Sequence, residues 1–341
     1  MKGKNITIAL ILVLLLSALI GTTGAGAAPK GGLSVSIAAD KTSYSAADSV
    51  MLTVTITNTG KNTAKVLKWY TPAEDVEEAI FKVSVNGATA EYVGPHYKRS
   101  VPANEDFISL KAGQSATYIV DLGKFYDLSA SGVYDIEYNL EGTGLSSNKV
   151  TTAIDGRAAP AVVVVPQAVS GSTSFVSCTA SRQTDLINAR SNASTYAANA
   201  LSYLNANASG TTRYVTWFGT FSTANYNTVK SHFSAISSAM DTQPVTFDCT
   251  CKKKTTYAYV FPNQPYKIFL CGAFWSAPMT GTDSKAGTLI HEMSHFNVVA
   301  STDDWAYGQT NAKALAISDP AKAIDNADSH EYFAENTPAL P

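Results

Sequence analysis

Between Gly31 and about Gly144 apolar and polar residues alternate with period two, in the runs "LSVSIAAD", "SVMLTVTITNTG", "FKVSVNG", "SATYIVDL" and "GVYDIEYNL", separated at short intervals by turn residues. Successive side chains of an extended chain point to opposite faces, so each run predicts a strand with one buried face. The series predicts an antiparallel β-sandwich of immunoglobulin-like type over residues 28–150. The segment "AIDGRAAPAVVVVPQAVSGSTS", Ala153 to Ser174, shows neither period and almost no charge. It reads as a linker, residues 151–173, with the domain boundary near Ser170. Beyond it the period lengthens: Tyr226, Val229, Phe233, Ile236 and Met240 form one stripe of an amphipathic helix, and an earlier helix is expected from Ser181 to Asn205. "VTFDCTC", "TTYAYVFP" and "YKIFLC", between Val245 and Cys271, read as short strands around a turn. The second domain, residues 174–341, is therefore expected to be mainly α with a small sheet.

The N-terminus adds a destination. Lys2 and Lys4 precede the apolar run Ile8 to Ile20, and Ala25-Gly26-Ala27 offers a small-residue cleavage site. A spanning helix needs roughly 20 apolar residues, so residues 1–27 read as a secretory signal peptide rather than a membrane anchor. Secretion suits the four cysteines, Cys178, Cys249, Cys251 and Cys271, all in the second half. With 25 Lys and Arg against 27 Asp and Glu, the net charge is -2, and no basic field points to nucleic acid. At 45% apolar and 15% charged, the 341-residue chain can bury two cores.

Chemistry concentrates in "GTLIHEMSHFNVVASTDDWAYG", Gly287 to Gly308. Residues four apart share one face of a helix, so His291 and His295 can present imidazole nitrogens to a single ion, while Glu292, about 100° further round, can reach a water held by it. Two imidazole ligands and a carboxylate general base are the equipment of a metalloprotease. A catalytic zinc takes three protein ligands, so one is still to be found. The histidine of metzincins would fall at Ser301, and the glutamate of thermolysin-type enzymes near Leu315; neither residue can serve. The first available groups after His295 are Asp303 and Asp304, followed by Tyr307.

"HEMSH" with "TDDWAYG" resembles the aspzincins, the family of deuterolysins and peptidyl-Lys metalloendopeptidases. "TRYVTWFG", "FDCTC", "AYVFPN", "CGAFWSAPMTGTDSKAGTL" and "DPAKAIDNADSHEYFAENTPA" look like the peptidyl-Lys branch. The resemblance implies a zincin-type catalytic domain with one Zn2+, held by His291, His295 and Asp304. Glu292 would be the general base and Tyr307 the phenol that stabilises the oxyanion, a role an O–H aimed at developing charge can fill. Of the three pairings four cysteines allow, it implies Cys178–Cys249 with Cys251–Cys271. It puts Asp328 and Glu331, three apart in "NADSHEYF", in the S1′ pocket, where two carboxylates on one side of a helical turn can grip an ammonium.

The expected protein is thus a secreted, monomeric zinc endopeptidase acting on proteins and peptides, cutting on the N-terminal side of lysine. The sandwich is expected to be a pro-domain acting as an intramolecular inhibitor, since "VLKWYTP" and "YVGPHYKRSVP" resemble the family's pro-regions. In "GPHYKRS", Lys98 can act as a pseudosubstrate and His96 as a zinc ligand, or both can be surface residues. Lys252, Lys253 and Lys254 form either a solvated turn or an autolysis site. No lysine lies between Lys149 and Lys230, so self-cleavage near the boundary would fall at Asn148–Lys149. The alternatives are a broad deuterolysin-like endopeptidase and a secreted binding protein with a vestigial zinc site.

Overall fold

The computed structural model describes residues 32–140, 143–158 and 171–341. The expected signal peptide and most of the expected linker lie outside the described residues. In the N-terminal half one sheet has the order β1 (Leu33–Ala39), β3 (Met51–Asn58), β9 (Ser115–Asp121). A second has the order β2 (Ser43–Tyr44), β11 (Leu145–Ile154), β10 (Gly132–Leu140), β5 (Phe81–Val85), β6 (Ala88–Thr89). Val35, Ile37, Leu52, Val54 and Ile56 from the first meet Val83, Tyr134, Ile136 and Tyr138 from the second in one apolar core. A smaller ribbon pairs β4 (Ala64–Leu67) with β8 (Phe107–Leu110). The period-two runs thus fall on β1, β3, β5, β9 and β10. β11 escapes that signal because its inward positions include Ser147 and Thr152, so it alternates in burial but not in hydrophobicity. It runs to Ile154, past the expected end of the sandwich at residue 150.

The C-terminal half is built on helices α1 (Ala180–Ala206), α2 (Thr212–Phe218) and α3 (Thr223–Thr242), each opened by a Thr or Ser N-cap: Thr179, Thr211 and Ser222. α1 buries Ala189, Ala193, Ala197 and Ala200, a seam of small side chains that brings α3 close. A mixed sheet follows the order β12 (Thr173–Val176), β13 (Val245–Asp248), β15 (Lys267–Leu270), β14 (Thr256–Val260), β7 (His96–Arg99). Its last member comes from the N-terminal half. β7 pairs antiparallel with β14, placing His96 opposite Val260, Tyr97 opposite Tyr259 and Lys98 opposite Ala258. After the short α4 (Gly272–Ser276) come α5 (Lys285–His295), α6 (Gly308–Ser318), α7 (Pro320–Ala323) and α8 (Ala327–Glu335). Disulfides Cys178–Cys249 and Cys251–Cys271 tie the approach to α1 to the end of β13, and the turn after β13 to the end of β15. Each restricts the unfolded chain more than the folded one.

α5 and α8 lie against each other, and both are buried along their whole length. Their approach depends on Gly287. A Cβ there would meet Glu335 Oε1 at 2.1 Å and Glu331 Cγ at 3.0 Å. Glu335 Oε1 has no free retreat, because it accepts from Ser284 N at 2.9 Å and Ser284 Oγ at 2.7 Å. In an open helix, replacing glycine by alanine stabilises by about 0.5–1 kcal/mol. Here Gly287→Ala is expected to reverse that sign and cost about 1–3 kcal/mol, as overpacking of a filled interior does. Urea unfolding checks this: a midpoint unchanged or raised would show that the two helices part freely.

Candidate active site

α5 carries His291, Glu292 and His295, all fully buried. Past its end at Phe296 the chain doubles back: Val299 N donates to Phe296 O, Ser301 adopts φ 54°, and Thr302 N donates to Ser294 O at 3.1 Å. The hydroxyls of Ser294 and Thr302 meet at 2.6 Å. This reversal returns Asp304 to the face of α5 that bears both histidines. Asn326 pins the returning loop, its side-chain oxygen accepting from Trp305 N at 3.0 Å and Ala306 N at 2.9 Å. Fully buried, Asn326 is a positioning residue that no sequence pattern singled out.

Both imidazoles are oriented by their outer nitrogens. His291 Nδ1 donates to Asp328 Oδ1 at 2.8 Å and His295 Nδ1 to Thr302 O at 2.7 Å. The Nε2 lone pairs are thereby directed to a common centre. Asp304 faces them, with Oδ1 3.3 Å from His291 Nε2 and Oδ2 3.5 Å from His295 Nε2. These two nitrogens, both Asp304 oxygens and both Glu292 oxygens are buried without a hydrogen-bond partner. Buried polar atoms are nearly always satisfied, so a converging set of two imidazole nitrogens and a carboxylate fits a divalent cation with nitrogen and oxygen ligands. The charges agree. Burial alone would push His291 down, but Asp304 and then Asp328 outweigh it and pull it up to about 10. Burial raises the Glu292 carboxyl to about 8 despite the opposing pull of His291.

Tyr307 stands at the start of α6, its hydroxyl donating to Glu78 Oε1 of the N-terminal half at 3.0 Å. Gly308 follows at φ 80°, a left-handed conformation that favours glycine, and its N–H donates to Asp328 Oδ2 at 2.6 Å. Asp328 and Glu331 share the inner face of α8, and the side chain between them is Lys98. Its Nζ lies 2.6 Å from Glu331 Oε2, 3.3 Å from Asp328 Oδ1 and 3.4 Å from Asp283 Oδ1, with only 1% of the side chain exposed. Tyr257 and Tyr332 flank the ammonium with their ring faces. Asp283, third carboxylate of the pocket, is held by Tyr332 Oη at 2.6 Å and had no signal in the sequence beyond its charge. Burial alone would strip the Lys98 proton, yet Asp328 and Glu331 outweigh it and hold Lys98 charged. The main chain at Lys98 lies against the Glu292 carboxylate. His96 packs against His295 with ring centroids 4.8 Å apart and the ring planes tilted by 40°.

In the lysine run Lys252 and Lys254 are exposed, as in a solvated turn, while Lys253 is engaged. Lys253 pairs with Glu77 and with Glu74 of the N-terminal half. A buried network continues from there through Arg99, whose Nη2 lies 3.1 Å from both Glu77 Oε2 and Glu78 Oε1.

Residues 203–335 match the model of the family described as lysine-specific metallo-endopeptidase, the aspzincins. An extracellular protease of Aeromonas hydrophila is 45% identical over 311 residues, covering 86% of this chain and 89% of the relative. The chain belongs to this family. A peptidyl-Lys metalloendopeptidase of Pleurotus ostreatus is 64% identical over 166 residues, which cover 49% of this chain and 98% of the relative. A zinc peptidase from Grifola frondosa, of known structure, is 51% identical, with all of that chain covered by 48% of this one and a TM-score of 0.47. The protein is an aspzincin metalloendopeptidase: its family membership implies a metal and protein or peptide substrates. Among the described residues no helix is long and apolar enough to cross a membrane.

Proposed function

We propose that this aspzincin is a secreted zinc endopeptidase that cuts on the amino side of lysine and is made as a latent precursor, with the β-sandwich as its pro-domain. The observation that carries this reading is the seating of Lys98: an extended segment of the chain's own N-terminal half lies along β14, puts a charged lysine among Asp328, Glu331 and Asp283, and brings its backbone to Glu292. An extended peptide adding to an open strand edge is a general mode of peptide recognition. The names of the Pleurotus and Grifola relatives support the substrate class and the metal, and the former's length, nearly all matched by half of this chain, supports a mature form without the sandwich.

His291, His295 and Asp304 would hold one zinc ion, which supplies Lewis acidity and lowers the pKa of a bound water to about 7. Glu292, raised to about 8 by burial, takes the proton from the attacking water and returns it to the leaving amine. Tyr307, once freed from Glu78, donates its hydroxyl to the carbonyl oxygen as charge develops there. Asp328 and Glu331 fix the P1′ lysine so that its amide faces Glu292. In the precursor the cleft is closed three times over: Lys98 fills the acidic pocket, Glu78 engages Tyr307, and His96 covers His295. Self-cleavage at Asn148–Lys149 meets an obstacle. Lys149 pairs with Glu137 of β10 and Asn148 bonds the main chain of Ile37, so a cut there needs the sheet to open.

Cleavage-site profiling on a denatured protein mixture tests the specificity. Lysine is expected at P1′ in the large majority of cuts, with Asp328→Ala combined with Glu331→Ala lowering kcat/KM on lysine substrates by about 10²-fold or more, as loss of a buried charge pair does. A profile without lysine enrichment would leave the broad deuterolysin-like reading in its place.

A further inference from the structure

The carboxylate of Asp328 is shared between two sites. Its Oδ1 accepts from His291 Nδ1 at 2.8 Å and lies 3.3 Å from Lys98 Nζ, while its Oδ2 accepts from Gly308 N at 2.6 Å, next to Tyr307. Glu331 is placed differently. Its Oε2 makes the shortest ion pair with the lysine, at 2.6 Å, and lies 3.6 Å from His291 Nδ1, beyond hydrogen-bond reach. We propose that the two acidic residues divide the work: Glu331 serves the lysine ammonium alone, whereas Asp328, besides its contact with the ammonium, is a positioning residue that sets the tautomer and aim of His291, tying the lysine pocket to the metal centre. This rests on the reading of His291 as a metal ligand and of the acidic pocket as S1′.

The chemistry of the donors supports the division. Three N–H groups converge on Asp328: an imidazole, a main-chain amide and an ammonium. Only an ionised carboxylate, acceptor on both oxygens, satisfies them together. An asparagine has a single acceptor oxygen. Turned toward Gly308, it would set its NH2 against His291 Nδ1 and favour the tautomer that carries its proton on Nε2, the nitrogen aimed at Asp304. Turned toward His291, it would leave the Gly308 N–H facing a donor at the start of the helix that holds Tyr307. A carboxylate hydrogen-bonded to the outer nitrogen of a ligating histidine also raises its basicity, and loss of such partners costs about 10–100-fold in metal affinity or activity.

The test compares Asp328→Asn, Asp328→Glu and Glu331→Gln with the wild type by two readouts. Zinc affinity of the full-length chain is measured by competition with a chromophoric chelator. The kcat and KM of the active enzyme are measured on a peptide with lysine at P1′ and on its norleucine counterpart, which keeps the length and lacks the charge. Asp328→Asn is expected to weaken zinc binding about 10–100-fold and to lower kcat on both peptides. Asp328→Glu keeps the charge but displaces it by a methylene; preference for lysine should survive while zinc affinity and kcat fall. Glu331→Gln should leave zinc affinity within about twofold of wild type and raise KM for the lysine peptide far more than for the norleucine peptide. If Asp328→Asn fails to fold, Asp328→Glu decides. Wild-type zinc affinity and norleucine kcat in the Asp328 variants, with loss confined to the lysine peptide, would overturn the division. A wild type that binds no zinc, or shows no preference between the two peptides, would instead sink the functional reading beneath it.

Discussion

Glu292→Gln is expected to abolish proteolysis while leaving the metal in place, lowering kcat by about 10²–10⁴-fold, the range general acid–base groups contribute. The carboxylate is fully buried with both oxygens unpartnered, so glutamine fills the same space and only the capacity to take and return a proton is lost. None of the groups that orient His291 and His295 involves Glu292, so zinc content should match the wild type. The variant also reports on latency. N-terminal sequencing of the secreted protein should find the sandwich still attached in Glu292→Gln if activation is autocatalytic, and removed in both proteins if another protease performs it. Retention of more than a tenth of wild-type activity would exclude Glu292 as the base, and a full-length yet active wild type would exclude the sandwich as a pro-domain.

Asp304→Ala should be comparably severe by a different route. Asp304 faces both Nε2 atoms, so its removal leaves two buried imidazoles without the carboxylate that completes the set. After dialysis against buffer the variant is expected to hold no zinc, where the wild type holds about one equivalent. A ligand bound only by the folded state stabilises it by RT ln(1 + [L]/Kd). Chelation should therefore lower the melting temperature of the wild type and leave that of Asp304→Ala unmoved. If the variant binds zinc as tightly as wild type, another group is the third ligand, and His96, packed against His295, is the first to test.

Two helices were legible in the sequence: the periodic stripe Tyr226, Val229, Phe233, Ile236 and Met240 is the buried face of α3, and where a helix was expected from Ser181 to Asn205, α1 spans Ala180–Ala206. The histidine pair was legible because helical geometry converts a spacing of four into a shared face. What stayed hidden depends on contacts between segments far apart in sequence. The four residues of β7 show no alternation, since Tyr97, Lys98 and Arg99 are all buried by different surroundings: Tyr97 against Tyr259, Lys98 among the carboxylates of α8, and Arg99 against Trp69, Glu77 and Glu78 of its own half. Lys98 was an ambiguous surface candidate until its partners 230 residues away were brought to it. Asn326, Asp283 and Glu78 act singly, and a lone polar residue has no period to betray it. The second duty of Asp328, orienting His291, needed the close approach of α5 and α8 that Gly287 permits.

If the N-terminal half is removed as proposed, Thr256–Val260 becomes the rim of its sheet, with main-chain donors and acceptors turned outward where β7 had been. Any chain that lies there next must be drawn out straight, because a helix already has its own amides and carbonyls engaged. If the cleft reads lysine as proposed, a lysine wound into a stable helix is invisible to it until that helix melts, while one in a frayed end or an open loop is read at once. The rate at which a folded protein is cut at each lysine would then follow the local opening equilibrium of that lysine, which makes the enzyme a residue-by-residue gauge of native-state breathing.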